Sequence, residues 1–165
     1  MSQEPRTPGA QTGSLERVRT FLVTRGLDDG IVVFDRSTKT AQMAADAIGC
    51  ELGQIVKSLV FSAGPRPVLA LVAGDRKGDP IAIAREVGAD GASIADADTV
   101  REATGYAIGG VSPFDLPGEL PVLIDDSLRR FDVVWSAAGT PDSVVRLDLE
   151  TLSDITGGRW ATISG

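Results

Sequence analysis

The 165-residue sequence contains no histidine and a single cysteine, Cys50. The missing histidine removes Ser-His-Asp and Cys-His triads, imidazole general bases and histidine-containing zinc sites together. One cysteine permits no intrachain disulfide, so the fold must stand on packing. A tetrahedral zinc site would have to be built from carboxylates, which zinc rarely accepts alone, and no metal or other cofactor is expected. Catalysis is left to lysine, carboxylates, hydroxyls, backbone dipoles or the substrate's own groups. Cys50 follows Ile48-Gly49 at an expected helix end with nothing to activate it, and a bland structural role is the expected one.

Long hydrophobic runs are also missing. None approaches the ~20 residues of a membrane-spanning helix. The N-terminal MSQEPRTPGAQTG is polar, rich in Pro and Gly, and lacks the apolar core of a signal peptide. Residues 1–13 are therefore expected to form a disordered tail, residues 14–165 one domain, and the protein to be cytoplasmic. Lysine is scarce, 3 against 13 arginines, and the net charge is −7. That balance argues against a non-specific nucleic-acid binder, and DNA is not an expected partner. It leaves room for a protein that meets only the end of an RNA through a small local patch.

What is present suits a globular protein: 42% hydrophobic and 24% charged residues. Ser14 to Arg25 reads as a helix, with Leu15, Val18, Phe21 and Leu22 at helical spacing and Gly26 beyond its end. Thr40 to Ile48, Ile81 to Val87 behind Asp79-Pro80, a segment through Val100 to Thr104 behind Asp96 or Asp98, and Leu149 to Ile155 read as further helices. Strands are expected at 31–34, 55–61, 68–73, 122–124, 133–135, 144–147 and 160–163, the second and third joined hairpin-fashion through Gly64-Pro65-Arg66-Pro67. Strands and helices alternate irregularly and hairpin links are mixed in. The expected architecture is thus α/β, with a compact, mixed, partly closed sheet and surrounding helices.

Three places could carry chemistry. Lys57 sits inside the apolar strand Ile55-Val-Lys-Ser-Leu-Val-Phe61 and shares a face with Ile55, Leu59 and Phe61. It is either a rim residue that snorkels or a functional ammonium held in a cleft. The run Thr104-Gly-Tyr-Ala-Ile-Gly109-Gly110-Val111-Ser112-Pro113-Phe114 is either a tight turn or a loop presenting peptide N–H groups to an oxyanion or phosphate. Asp125, directly after the strand Val122-Leu-Ile124, is either a turn former or a cleft-edge carboxylate. No P-loop, G-x-G-x-x-G or G-x-S-x-G motif occurs.

In order along the chain, Thr40-Ala-Gln-Met-Ala-Ala-Asp-Ala-Ile-Gly49, Ile55 to Phe61 with Lys57, Val72-Ala-Gly74-Asp75, Thr104 to Pro113, Pro121-Val-Leu-Ile-Asp125, Gly139 and Asp148-Leu-Glu-Thr-Leu152 resemble the YbaK/EbsC family. They are similar also to the editing domain inserted in bacterial prolyl-tRNA synthetase. The resemblance spans roughly residues 14–164. It implies a hydrolase that removes a wrong amino acid from the 3′ end of tRNA, most often tRNA for proline, without triad or metal. The nucleophile it implies is a bound water or the substrate's own hydroxyl. Its partners would be the aminoacylated 3′ end of tRNA and, secondarily, an aminoacyl-tRNA synthetase.

The resemblance assigns the family lysine to Lys57 and the family's G-x-x-x-P loop to Gly109–Pro113. Lys57, Gly109 and Gly110 become the catalytic candidates, with Lys57 gripping a phosphate or the ester and the two glycine N–H groups facing the oxyanion. Thr40, Val111, Ser112, Pro113 and Asp125 become the substrate-binding candidates. One departure is visible: cysteine-removing members carry an acidic residue where this chain places Val144, within Asp142–Arg146. Two rival readings are a noncatalytic binder of an aminoacyl-adenosine-like ligand or a synthetase, and a Schiff-base enzyme working through Lys57.

Overall fold

The computed structural model describes residues 8–35, 38 and 40–165. Among these lie five helices, α1 (Pro8–Val23), α2 (Ala41–Ile48), α3 (Pro80–Val87), α4 (Ala97–Thr104) and α5 (Leu149–Thr156). Eight strands accompany them: β1 (Ile31–Val33), β2 (Ile55–Ala63), β3 (Arg66–Ala73), β4 (Ala92–Ile94), β5 (Val122–Asp125), β6 (Val133–Ala137), β7 (Ser143–Asp148) and β8 (Arg159–Ala161). All eight join one mixed sheet in the order β1-β7-β6-β2-β3-β5-β8, with β4 on β2. The expected mixed α/β fold is the one observed.

Apolar residues on both faces make β2 and β3 the centre of this sheet. Every residue of β3 from Val68 to Ala73 is buried, which is why this stretch is continuously apolar rather than alternating. One face packs Val56, Val60, Leu69 and Leu71 into a core with Val18 and Leu22 of α1 and with Tyr106 and Phe114. The other packs Phe61, Val68, Ala70 and Val72 against Ile83 of α3. Side-chain caps fix the helices that flank the sheet. Asp79 Oδ1 accepts from the Ile81 N–H at 3.0 Å ahead of Pro80, and Asp96 Oδ1 accepts from the Thr99 N–H at 2.8 Å.

Helix α1 begins at Pro8 rather than at Ser14, so residues 8–13, expected to belong to a disordered tail, are helical; residues 1–7 of that tail lie outside the described residues. The fixed φ of proline suits a first helical turn, a preference that the Pro/Gly-rich composition masked. Strand β4 was not visible in the pattern. It is three residues long and is held by pairing with Phe61–Ala63 of β2.

One property of β2 positions everything that follows. Along one edge it pairs with β3 from Val56 to Ala63. Along the other edge it changes partner: Ile55 and Val56 pair with β6, Phe61–Ala63 pair with β4, and the residues between have no strand beside them. The sheet is split alongside Lys57–Val60.

Asp125 proves to be a structural anchor. It is 1% exposed at the end of β5. Its carboxylate accepts from the Ile163 N–H at 2.8 Å, the Ser164 hydroxyl at 2.7 Å and the Ser127 N–H at 3.1 Å, tying the C-terminal segment to β5. Burial pushes the carboxyl up, but the bonds from Ser127, Ser164 and Ile163 outweigh it and hold the group below the usual carboxylate range. A carboxyl with a lowered folded-state pKa stabilises the fold above its unfolded pKa, and this contribution is lost as pH falls through the folded value. Asp125→Ala should therefore destabilise the protein by about 2–4 kcal/mol at pH 7 in urea unfolding. The difference from wild type should shrink below about pH 4. A variant with unchanged stability at pH 7 would show that these bonds carry nothing.

Candidate active site

The split beside β2 opens a cavity of about 430 Å³, within the size range of ligand pockets. Both faces of β2 reach it, since every residue from Ile55 to Val60 lines it. At its opposite wall stand Trp135, Ser136 and Ala137 of β6, and Ser143 and Val144 of β7. The 109–111 turn and Thr40 complete the enclosure. The apolar rim residues Ile94 and Ile108 are 63% and 59% exposed, an unusual degree for isoleucine beside a pocket.

Lys57 is the sole charged side chain among the described residues that line this cavity. It lies on β2 opposite Val72 of β3, with its face given by the alternation read from sequence. Its ammonium donates to the backbone carbonyl of Arg76, in the turn after β3. That turn is itself pinned: Arg130 grips Asp75 through two bonds of 2.9 and 2.7 Å, a forked pairing with geometric as well as electrostatic specificity. The Arg130 bonds hold the Asp75 carboxyl below the usual range. Burial pushes the Lys57 ammonium down, the negative charge of Asp75 pulls it partly back up, and Lys77 pushes it down again.

The loop after α4 is built as a clamp. Tyr106 is fully buried, its hydroxyl donating to the Phe114 carbonyl at 2.6 Å, and burial pushes its pKa up to about 12. Arg17 of α1 lies over the Tyr106 ring at 4.3 Å and pairs with Asp115 at 2.9 Å. Asp115 adopts a φ of 57°, the left-handed conformation that a short polar side chain tolerates best after glycine. Gly110 packs so closely on the neighbouring turn that a Cβ would stand 2.7 Å from the Gly139 carbonyl oxygen, and one on Gly139 would stand 2.7 Å from that of Ser14. Three backbone segments thus touch, and only glycine fits between them.

The structure brings Lys57, Gly109, Val111 and Thr40 to one cavity. Thr40 also caps α2, accepting from the Met43 N–H at 3.1 Å. Four candidates are placed elsewhere. The Gly110 N–H is spent on the Ala107 carbonyl at 3.0 Å, so it is not available to an oxyanion; among the described residues the Gly109 N–H has no partner. Ser112 is buried and its hydroxyl accepts from the Phe114 N–H at 3.4 Å, while the buried Pro113 does not line the cavity. Asp125 anchors the C-terminus as described. Sequence reading missed Trp135, Ser136 and Ser58 as lining residues, because a lone serine or an aromatic within a strand carries no local signal of a cavity.

A second cavity, of about 670 Å³, lies between Arg129, Trp160 and the carboxylate-bearing residues Asp132, Asp148, Glu150 and Asp154. Its excess of negative charge suits no phosphate-bearing ligand.

Comparison with known proteins gives this geometry a context. Residues 35–155 match the model of the aminoacyl-tRNA editing domain. The chain belongs to the aminoacyl-tRNA editing domain family. Within that family it is 35% identical to YwhH of Bacillus subtilis over 87% of this chain and 91% of YwhH. It is 31% identical to the multifunctional Ser/Thr-tRNA deacylase ProXp-y of Escherichia coli, over 80% of this chain and 81% of that protein. A solved structure described as a candidate trans-editing enzyme for prolyl-tRNA synthetase superposes with a TM-score of 0.85 at 38% identity, covering 99% of each chain. Editing-family membership also joins the chain to proline–tRNA ligase of Streptococcus sanguinis, 30% identical over 55% of this chain and 15% of the ligase.

Because burial favours the neutral amine, the Lys57 charge should be lost at lower pH than for an ordinary lysine. Its side-chain ¹³C resonance should titrate with a midpoint below the ordinary 10.5. The ammonium's burial opposes folding below that midpoint, and the opposition eases as pH rises through it. A midpoint at or above 10.5 would mean that Asp75 outweighs burial and that the ammonium is not held in a poorly solvated place.

Proposed function

We propose that this chain is a trans-acting aminoacyl-tRNA deacylase that hydrolyses the ester between a wrong amino acid and the 3′ end of tRNA, tRNA for proline in the first place, without a metal ion. The observation that carries the reading is the cavity itself: a mostly apolar recess with one cation, Lys57, among its described lining, and with the Gly109 N–H unpartnered among the described residues. A substrate with a polyanionic backbone and a small acyl group at its end complements that arrangement. Overlap with 81% of ProXp-y and 99% of the trans-editing structure supports action as a separate protein rather than inside a synthetase.

In this mechanism Lys57 holds a phosphate or ester oxygen of the terminal adenosine and fixes the substrate in register. The Gly109 N–H faces the carbonyl oxygen and stabilises the charge that develops on it. Water adds to the ester carbonyl carbon and gives up a proton, the bond from that carbon to the ribose oxygen breaks, and that oxygen takes the proton. Where the neighbouring ribose hydroxyl acts first, the acyl group moves to its oxygen and water then adds to the new ester in the same way. An already activated ester needs little more than positioning and charge stabilisation, which suits a chain with no histidine.

The test is deacylation of tRNA for proline charged with alanine, serine, threonine or cysteine. Lys57→Ala should leave the fold intact and lower the rate about 10²–10³-fold, the usual loss for one charge-assisted contact in a water-poor site. Lys57→Arg should recover part of the activity, because a planar fork cannot occupy the same point-charge position. Chelators and Cys50→Ala should leave the rate unchanged. Hydrolysis of no charged tRNA would move the chain to the noncatalytic binding role. Loss on chelation with restoration by zinc would overturn the metal-free mechanism.

A further inference from the structure

Two hydroxyls beside the cavity have no partner. Ser58 Oγ and Ser136 Oγ are out of contact with solvent and make no hydrogen bond, although both residues line the cavity. Ser136 is 1% exposed, so its hydroxyl has given up water and received nothing in return. An orphaned buried hydroxyl costs about 1–3 kcal/mol, and two beside one recess are unusual. The other hydroxyls of the same wall are satisfied: Thr140 bonds to Asp142 at 2.6 Å and meets Ser143 at 2.5 Å.

Register places the two orphans together. Val56 pairs with Ser136 across the parallel β2–β6 ladder, so these two residues share a face. Ser58, two residues beyond Val56, shares it too. The ladder to β6 ends at Val56, so the two serines border the split itself. Backbone direction adds a third polar element. The Val60 carbonyl accepts from the Ala95 N–H at 3.0 Å and therefore points away from β3. By strand alternation the peptide groups of Ser58 point the same way, into the gap that no strand fills. Around the serines the lining is apolar, with Val56, Val60, Val111 and Val144. Val144 lines the recess, and no carboxylate is present among the described lining residues.

We propose that Ser58 and Ser136 form the acyl side-chain subsite and make the cavity select a small amino acid bearing a hydroxyl over its apolar counterpart. This rests on the deacylase reading of the same cavity and adds to it which chemistry of aminoacyl group is accepted and by which residues. Lys57 engages the nucleotide end, and the side chain enters the split, where one substrate hydroxyl donates to one serine and accepts from the other. The valines set an upper limit on size. A site built to bond a hydroxyl rejects the analogue that lacks it, because its own polar groups are then left buried and unpaired.

The test compares serine with alanine, which differ by the one oxygen at issue. Hydrolysis of seryl- and alanyl-tRNA for proline is measured for wild type, Ser58→Ala and Ser136→Ala. Binding of the non-hydrolysable 3′-seryl- and 3′-alanylamido-adenosine analogues is measured alongside by calorimetry. Wild type should favour the seryl form at least about tenfold in both assays, as expected for two neutral hydrogen bonds. Each alanine variant should lose several-fold on the seryl form and stay equal or improve on the alanyl form. Removing an orphaned hydroxyl should also leave Tm unchanged or raise it, so the variants are expected to fold. Seryl preference in binding with no hydrolysis of any charged tRNA would sink the deacylase reading and leave the subsite standing. Equal seryl and alanyl values in wild type, or variants that weaken both forms alike, would overturn the subsite, whether or not the protein hydrolyses the ester.

Discussion

A strand in the middle of a sheet presents peptide groups on both of its edges, and β2 meets them with three partner strands and a gap rather than with two partners. Its antiparallel ladder with β3 is continuous. Its other edge is divided between β6, which runs parallel to its beginning, and β4, which runs antiparallel to its end. The parallel ladder to β6 ends at Val56 and the antiparallel ladder to β4 begins at Phe61, so the edge has no strand beside it where one gives way to the other. The break falls beside Lys57–Val60. It leaves a recess with the backbone edge of β2 as one wall and strand residues from β6 and β7 as the other. The cavity is a consequence of sheet topology, and strand residues form the sides that would determine what fits.

The remaining structure holds the mouth of this recess in shape. Arg130 and Asp75 fix the turn that carries the Arg76 carbonyl, and the Lys57 ammonium rests on that carbonyl. On the other side Tyr106, Arg17 and Asp115 brace the loop from which Gly109 and Val111 reach the cavity. The contact of Gly110 with Gly139, and of Gly139 with Ser14, sets that loop directly on the β6–β7 turn and on α1. Loss of any of these braces should act on the site through position, since none of the bracing side chains lines the cavity.

Much of this was legible in the sequence. The alternation around Lys57 placed it on a strand, Asp79 caps α3 as expected, and of the two choices Asp96 and Asp98 it is Asp96 that caps α4. The motif order from Thr40 to Leu152 pointed to the family that the comparisons then showed. What was not legible depends on contacts between distant segments. Nothing local says that Asp125 will be claimed by Ile163 and Ser164, or that the Gly110 N–H will close a turn on Ala107 instead of facing a ligand. Ser58 and Ser136 are ordinary strand serines until the β2–β6 ladder sets them on one face of a split. The three-residue β4 has too little pattern to announce itself, and α1 begins inside a segment whose prolines and glycines suggest a tail.

The central claim is that the split beside β2 receives the aminoacyl end of the substrate. A crystal structure with the 3′-serylamido-adenosine analogue tests it most directly. The seryl group should appear between β2 and β6, against Ser58 and Ser136, with the adenosine toward Lys57 and Gly109. Density for the analogue in the acidic recess between Arg129 and Trp160, or with its aminoacyl end outside the split, would contradict it.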